Sequence, residues 1–361
     1  MSNVKISNLP LYTGNTDGGY LIFNNSGETE SFKINKSELF FISNVIQGFR
    51  SSGPANNISV VLQPKGSGSF SLEQPDGTII GGNVRGSNAI DLQMSRDNAN
   101  QVASGDRSII LNGFGNRVAG ADSGAFGVSN LVTGQQSFAF GLANNISANQ
   151  VIAVGVGNIA TAGESSVFGR GCVVTANYSL ATGNDSHATA ESSFAMGTRA
   201  LTYTRAQFAR SNQMFSVNGD NQDSIIGVQA IGSYAPSANI TLFTNDNAGL
   251  LTFFGNNRSL QINCRFNLVC TVSGGGVNDP AVGNVFGGEQ VFMFKEVGGI
   301  LTQVGTTSTI HSNADPRLVG TTFTQSVGGS NNLVLRFTLP ATTNNNTYRA
   351  NATLSITEIG W

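Results

Sequence analysis

Little in this chain is equipped to make or break bonds. Of its 361 residues two are histidine and three are cysteine. His187 falls at a variable turn position of a repeat, and no nucleophile elbow, P-loop or HExxH helix accompanies it or His311. Glycoside hydrolysis needs two carboxylates roughly 5–10 Å apart across a groove. Asp122, Glu164, Asp185 and Glu191 lie within the repeats but do not recur at one position, so they read as solvated turn residues. Cys172, Cys264 and Cys270 are odd in number and lack metal-ligand spacing. Cys264 and Cys270 share the apolar face of one strand, and all three read as buried free thiols. The expectation is a non-enzyme with no catalytic residue, cofactor or metal.

The remaining polar chemistry is amide-rich. Four loops carry Asn278 and Asp279; Asn313 and Asp315; Asn331 and Asn332; and Asn344, Asn345 and Asn346. Side chains of this kind hydrogen-bond sugar hydroxyls, and they equally make plain solvated turns. Both readings stay open.

Composition narrows the class. Lys+Arg number 19 against 21 Asp+Glu, a formal charge of −2, which gives no general attraction for nucleic acid. Hydrophobic content of 39% is too high for a disordered chain, and no run of apolar residues is long enough for a membrane-spanning helix. Gly is abundant at 45 residues and charged residues are only 11%, which leaves an all-β protein. No apolar segment follows Met1-Ser2-Asn3-Val4-Lys5, so no secretory leader is expected and synthesis in a reducing cytoplasm is.

The elements must come from a repeat. Gly113, Gly127, Gly141, Gly155, Gly169, Gly183 and Gly197 lie 14 residues apart, and Ser211 takes the next place. Two residues before each stands Leu111, Ala125, Ala139, Ala153, Val167, Ala181, Ala195 or Ala209. Three after comes Asn116, Asn130, Asn144, Asn158, Cys172, Ser186 or Ala200, and five after a Val-like position. Alternation within the motif is that of a strand, followed by a turn and a second short strand. One unit is one coil of a β-solenoid, and eight coils stacked ~4.8 Å apart make a rod of ~38 Å.

A coil this narrow, only about 46 Å around when fully extended, holds two or three small side chains. It buries too little apolar area to offset its ordering entropy. The outward stripe Phe126, Phe140, Val154, Phe168 and Met196 is therefore expected to be covered by other copies. Three chains around one axis is the simplest closed arrangement.

The flanks divide the chain into residues 1–45, a small N-terminal module; 46–99, a β-rich cap or junction; 100–218, the repeats; and 219–361, a C-terminal region. In the first, Tyr20-Leu21-Ile22-Phe23 and Ser31-Phe32-Lys33-Ile34 predict a hairpin, and Asn35 with Glu38 predicts the start of a short helix. In the second, Ile58–Leu62 and Ser69–Leu72 read as short strands. In the last, Leu260, Ile262, Cys264, Phe266, Leu268 and Cys270 alternate with polar residues, as do Leu333, Leu335, Phe337 and Leu339, and Tyr348 through Ile356. That pattern predicts an antiparallel β-sandwich used as a terminal knob.

The repeat resembles the head repeat of YadA-like trimeric adhesins, which implies a left-handed parallel β-roll built from three chains. The flanks resemble bacteriophage tail-fibre-like virion proteins. The segments Gly81-Gly82-Asn83-Val84-Arg85-Gly86, Ala89-Ile90-Asp91-Leu92-Gln93 and Gln101-Val102-Ala103-Ser104-Gly105 are similar to the run that feeds the repeats in those proteins. Phe208, Phe215 and Gly219–Ser224 are similar to their exit, and Ile6-Ser7-Asn8-Leu9-Pro10 through Thr29 to their N-terminal module. The resemblance implies a homotrimeric virion fibre, docked through its N-terminal module to other virion proteins and contacting a host-surface glycan or protein. It implies no nucleic-acid partner and no membrane insertion. A purely structural head or collar fibre and a polysaccharide depolymerase are the alternatives.

Overall fold

The structure, a computed structural model, describes residues 64–213, 218–219, 221–244, 250–253, 257–329 and 332–360, with the backbone of strands Tyr20–Asn24 and Ser31–Asn35. The chain divides into two units, 1–62 and 63–361. In the first, Tyr20–Asn24 pairs antiparallel with Ser31–Asn35, Tyr20 opposite Asn35. The expected helix start beyond Asn35 and the strand Ile58–Leu62 lie outside the described residues, as do Asn331 and the loop between the paired strands.

The second unit is built from β-strands, with no helix among the described residues. Its first part is a parallel β-solenoid of about seven turns. Five-residue strands such as Phe138–Leu142, Ile152–Val156 and Ser166–Arg170 stack into one sheet, and two-residue strands such as Leu131–Val132 and Asn145–Ile146 stack into another. From the second coil on, each stacked residue meets the one 14 places on: Ala139 opposes Ala153, Gly141 opposes Gly155, and Ile146 opposes Ala160. In the first coil a register shift sets Ile110 opposite Ala125, so buried Ile110 and not Leu111 fills the inward place. Each coil turns at two corners held in the left-handed backbone region. Ser129, Ala143, Gly157 and Gly171 form one series, with φ of 55–65°, and Gln136, Gln150, Glu164 and Tyr178 form the other, with φ of 53–59°. The parallel stacking continues upstream of the repeats through Ile90–Asp91 to Phe70–Ser71.

The interior is as narrow as the coil length requires. Ala139, Ala153, Val167, Ala181 and Ala195 are fully buried, facing Val132, Ile146, Ala160 and Val174. Two polar columns complete it. Asn130 donates from its backbone N (3.1 Å) and Nδ2 (3.0 Å) to Asn116 Oδ1, and Asn144 and Asn158 repeat the pattern one coil at a time. The same Nδ2 groups donate forward to the carbonyls of Gly141, Gly155 and Gly169. Those carbonyls point inward because their glycines hold φ of 120–129°. Ser123 and Ser137 form a second column, each Oγ accepting from the backbone N one coil on. The side chains of these two columns thereby find partners, which a buried amide requires.

The solenoid is closed upstream by polar side chains and downstream by a strand. Upstream, Gln93 Oε1 accepts from Asn116 N (2.7 Å) and Nδ2, and Arg85 pairs with Asp91 at 2.8 Å with both side chains fully buried. Downstream, strand Asn221–Tyr234 lies antiparallel on the last coil strand, Phe208–Ser211. Strands Asn346–Gly360, Arg258–Val272, Val285–Val297 and Ile300–Ala314 follow, so one 15-stranded sheet runs from Phe70–Ser71 to the edge strand Ile300–Ala314. A separate four-stranded sheet holds Asn239–Thr241, Leu251–Thr252, Thr322–Gly328 and Asn332–Thr338. One core joins the two sheets, with Phe266 stacked on Phe323 (centroids 4.1 Å apart) and edge-on to Phe337.

Candidate functional site: the outer face of the solenoid and the distal loops

Strand alternation turns one side of each five-residue strand outward. Phe126, Phe140 and Phe168 are 48%, 37% and 37% exposed, and Val154 and Met196 are half-buried. These five residues stack in one column through the 14-residue register. The column is wider than the sequence stripe. Two residues earlier, Phe138, Ile152, Leu180, Phe194 and Phe208 form a second outward column, and two residues later Val128, Leu142 and Val156 form a third. Phe194 and Phe208 meet edge-to-face at 5.1 Å. Thr182 and Ser166 interrupt the apolar columns, and Arg170 takes over the place of Val156 in the next coil. The two flanking columns had a signal in the sequence, since they share the parity of the first stripe.

The acidic side chains of the coils do not converge. Asp122 is bound by Arg107 at 2.6 Å, Asp185 lies 3.6 Å from Arg199, and Glu191 lies 3.6 Å from Arg205, all near solvent. The hydrogen bond from Arg107 holds Asp122 below the usual carboxylate range; desolvation opposes it, and the charge of Arg107 adds to it. His187 is half-buried with Nε2 3.3 Å from Asn218 Nδ2, and burial lowers its pKa against the pull of Asp185. Among the described residues no group of His, Cys, Asp and Glu could hold a metal ion. Cys172, Cys264 and Cys270 are free and buried, and burial pushes the Cys264 thiol up to about 12.

Three of the four expected loops gather at one end of the C-terminal strands. Asp279 Oδ1 accepts from Thr343 N (2.7 Å) and Asn344 N (3.0 Å), and its Oδ2 accepts from Gly276 N (2.7 Å) and Asn344 Nδ2 (3.1 Å). Desolvation opposes these donors, but together they hold Asp279 well below the usual carboxylate range. Asn346 is buried, accepting from Gly274 N and donating to Asn344 O. Asp315 Oδ2 accepts from Val285 N (2.8 Å) and Asn284 Nδ2. Asn278, Asn313 and Asn345 are exposed. Asn332 opens the strand whose other end, Thr338, reaches this loop cluster, so it lies at the opposite end. Much of the loop amide chemistry thus binds loop to loop.

At the junction of solenoid and C-terminal sheets sits a charged cluster that sequence did not reveal. Arg258 Nη1 meets Glu358 Oε2 at 2.5 Å and its Nε lies 3.3 Å from Glu296 Oε2, with both carboxylates fully buried. Tyr203 OH donates to Glu358 Oε1 at 2.5 Å, joined there by Gln222 and Ser224. Glu296 accepts no hydrogen bond from the described residues. Burial raises its pKa, Arg258 opposes the rise and Glu358 adds to it.

No protein-family model matches the sequence, and no curated protein matches it. Among solved structures the chain is similar to the tailspike protein of Acinetobacter phage vB_ApiP_P1, at 12% identity over 77% of this chain and 55% of that one, with a TM-score of 0.25. It is also similar to the tailspike protein of Acinetobacter baumannii phage AM24, at 8% identity over 80% of this chain and 56% of that one, with a TM-score of 0.23. The chain spans about half the length of these two tailspikes.

Proposed function

We propose that this chain is a virion fibre or spike of a bacteriophage, in which three copies close over the outer face of the solenoid and the C-terminal region contacts a host-surface glycan or protein. The observation that carries the reading is the triple column of apolar side chains along successive coils. Isolated exposed apolar residues are ordinary, but a contiguous band of them marks a surface that another protein covers. A ring closed by rotation leaves no copy of the band uncovered, and threefold closure suits a rod.

On this reading the 14-residue unit is the YadA-like repeat and serves as a rigid spacer. The two C-terminal sheets with their common core act as the sandwich knob. The segment 1–45 docks on other virion proteins, and the assembled fibre belongs to the particle. The chain works by holding and not by cutting: Asp122, Asp185 and Glu191 of the coils each lie beside an arginine and not beside one another.

Sedimentation equilibrium of the purified chain tests the assembly, with three chain masses expected. A well-folded single chain at micromolar concentration overturns it. Binding of the labelled protein to host cells tests attachment, and its absence at all concentrations leaves a purely structural fibre.

A further inference from the structure

The distal loops hold much of their polar chemistry among themselves, whereas the outward face of the long C-terminal sheet does not. Gln229, Asn351 and Asn267 are directly opposite one another on three neighbouring strands, all exposed. They form a row of three planar amides about 10 Å across. The next strand continues the row with Gly287, which adds no side chain, and at the other end Gln229 pairs with Phe243. Among the described residues none of the three amides has a side-chain hydrogen bond, although each offers both donors and acceptor.

One step along the strands lies a row of different character, Ile231, Arg349 and Val269. Arg349 is exposed, and among the described residues no carboxylate lies in ion-pair range of it. Gln229, Asn351, Asn267, Ile231, Arg349 and Val269 line one depression in this face, and Gln229 and Asn351 also line the adjoining one.

We infer that this face is a binding groove for an acidic oligosaccharide. A pyranose uronate carries a C–H face, a ring of hydroxyls and a carboxylate. Ile231 and Val269 cover the first, the amide row addresses the second, and the Arg349 guanidinium takes the third by charge-assisted hydrogen bonds. The groove sits on strands and not on loops, so its donors are already in place before a ligand arrives. The inference rests on the attachment reading and gives it a ligand class and a location away from the distal loops.

The test uses the full-length assembled protein. Saturation-transfer NMR and calorimetry would follow hexamers of galacturonate, hyaluronan and sialate, with maltohexaose as the neutral control. At least one acidic hexamer is expected to bind more tightly than the control. Arg349→Ala is expected to weaken it about tenfold, in line with loss of a charged hydrogen bond, and Asn351→Ala to weaken it too, with unchanged thermal unfolding in both. No acidic hexamer above the control, or equal binding by Arg349→Ala, overturns the groove. Asn351→Cys must react with a water-soluble maleimide in the native assembly; protection would mean that a sister copy covers this face, which also overturns it. In host-cell binding, equal attachment by wild type and Arg349→Ala rejects the groove and leaves attachment standing. Failure of the wild type to attach rejects both.

Discussion

Replacing Gly155 by alanine is expected to break the solenoid locally, while the same change two residues later is expected to be mild. At Gly155 φ is +129°, and an added Cβ would lie 1.8 Å from the carbonyl oxygen of Gly169 in the next coil. That contact is with main chain, so no rotamer change relieves it. Backbone strain in this region alone costs on the order of 1–3 kcal/mol. The displaced carbonyl would also leave its donor, Asn158 Nδ2, now 3.0 Å away. Losing a buried hydrogen bond adds about 1–3 kcal/mol. Together these come to about 2–6 kcal/mol before the steric overlap is counted, a large part of the stability of any domain. At Gly157 φ is +65° with no atom within 4 Å of an added Cβ, and Ala143 already occupies the equivalent corner one coil earlier at φ 55°. Alanine there should cost about 1–2 kcal/mol. Denaturant unfolding of Gly155→Ala and Gly157→Ala, followed by circular dichroism, compares them directly. Equal losses would refute both the register of the coils and the inward direction of the glycine carbonyls.

Phe140→Asp puts a charge in the middle of the apolar band and should prevent assembly, read as a loss of the three-chain mass on sedimentation; wild-type mass would remove the band as the interface. Cys172 interrupts the asparagine column, its N still donating to Asn158 Oδ1. Cys172→Asn should extend the column and stabilise by about 1 kcal/mol, and lower stability on denaturant unfolding would show that the site cannot hold an amide. Glu296 has a folded pKa raised above the ordinary 4.5. Its protonated form favours the fold, so this contribution is full below that value and fades as pH rises through the raised one. Glu296→Gln should flatten the fall in Tm from mildly acidic to neutral pH, and an unchanged slope would contradict the assignment.

The glycine and alanine columns were legible because strict 14-residue spacing survives any detail of packing. The asparagine column was visible as a column, but its task was not. That task depends on the carbonyl direction of glycines at φ above 110°, which no residue type reports by itself. Phe126 and its partners were found from parity, and the same parity points to Phe138 and Ile152 on one side and Leu142 on the other. The distal loops illustrate the opposite limit. Asp279 and Asn344 look like free ligand groups in sequence, yet they satisfy each other across 65 residues. Arg258, Glu296 and Glu358 were hidden for the same reason, since each is a lone charge until three strands bring them together.

The hydrogen-bonded ladder passes from the last coil strand, Phe208–Ser211, into Asn221–Tyr234 without leaving the sheet. There is consequently no swivel between the stacked coils and the C-terminal strands. A pull along the stacking direction falls on the whole row of hydrogen bonds between each pair of strands at once, and a twist at one end must wind the whole ribbon. Recoil, bending and reorientation of such a body have to be supplied by whatever lies beyond it.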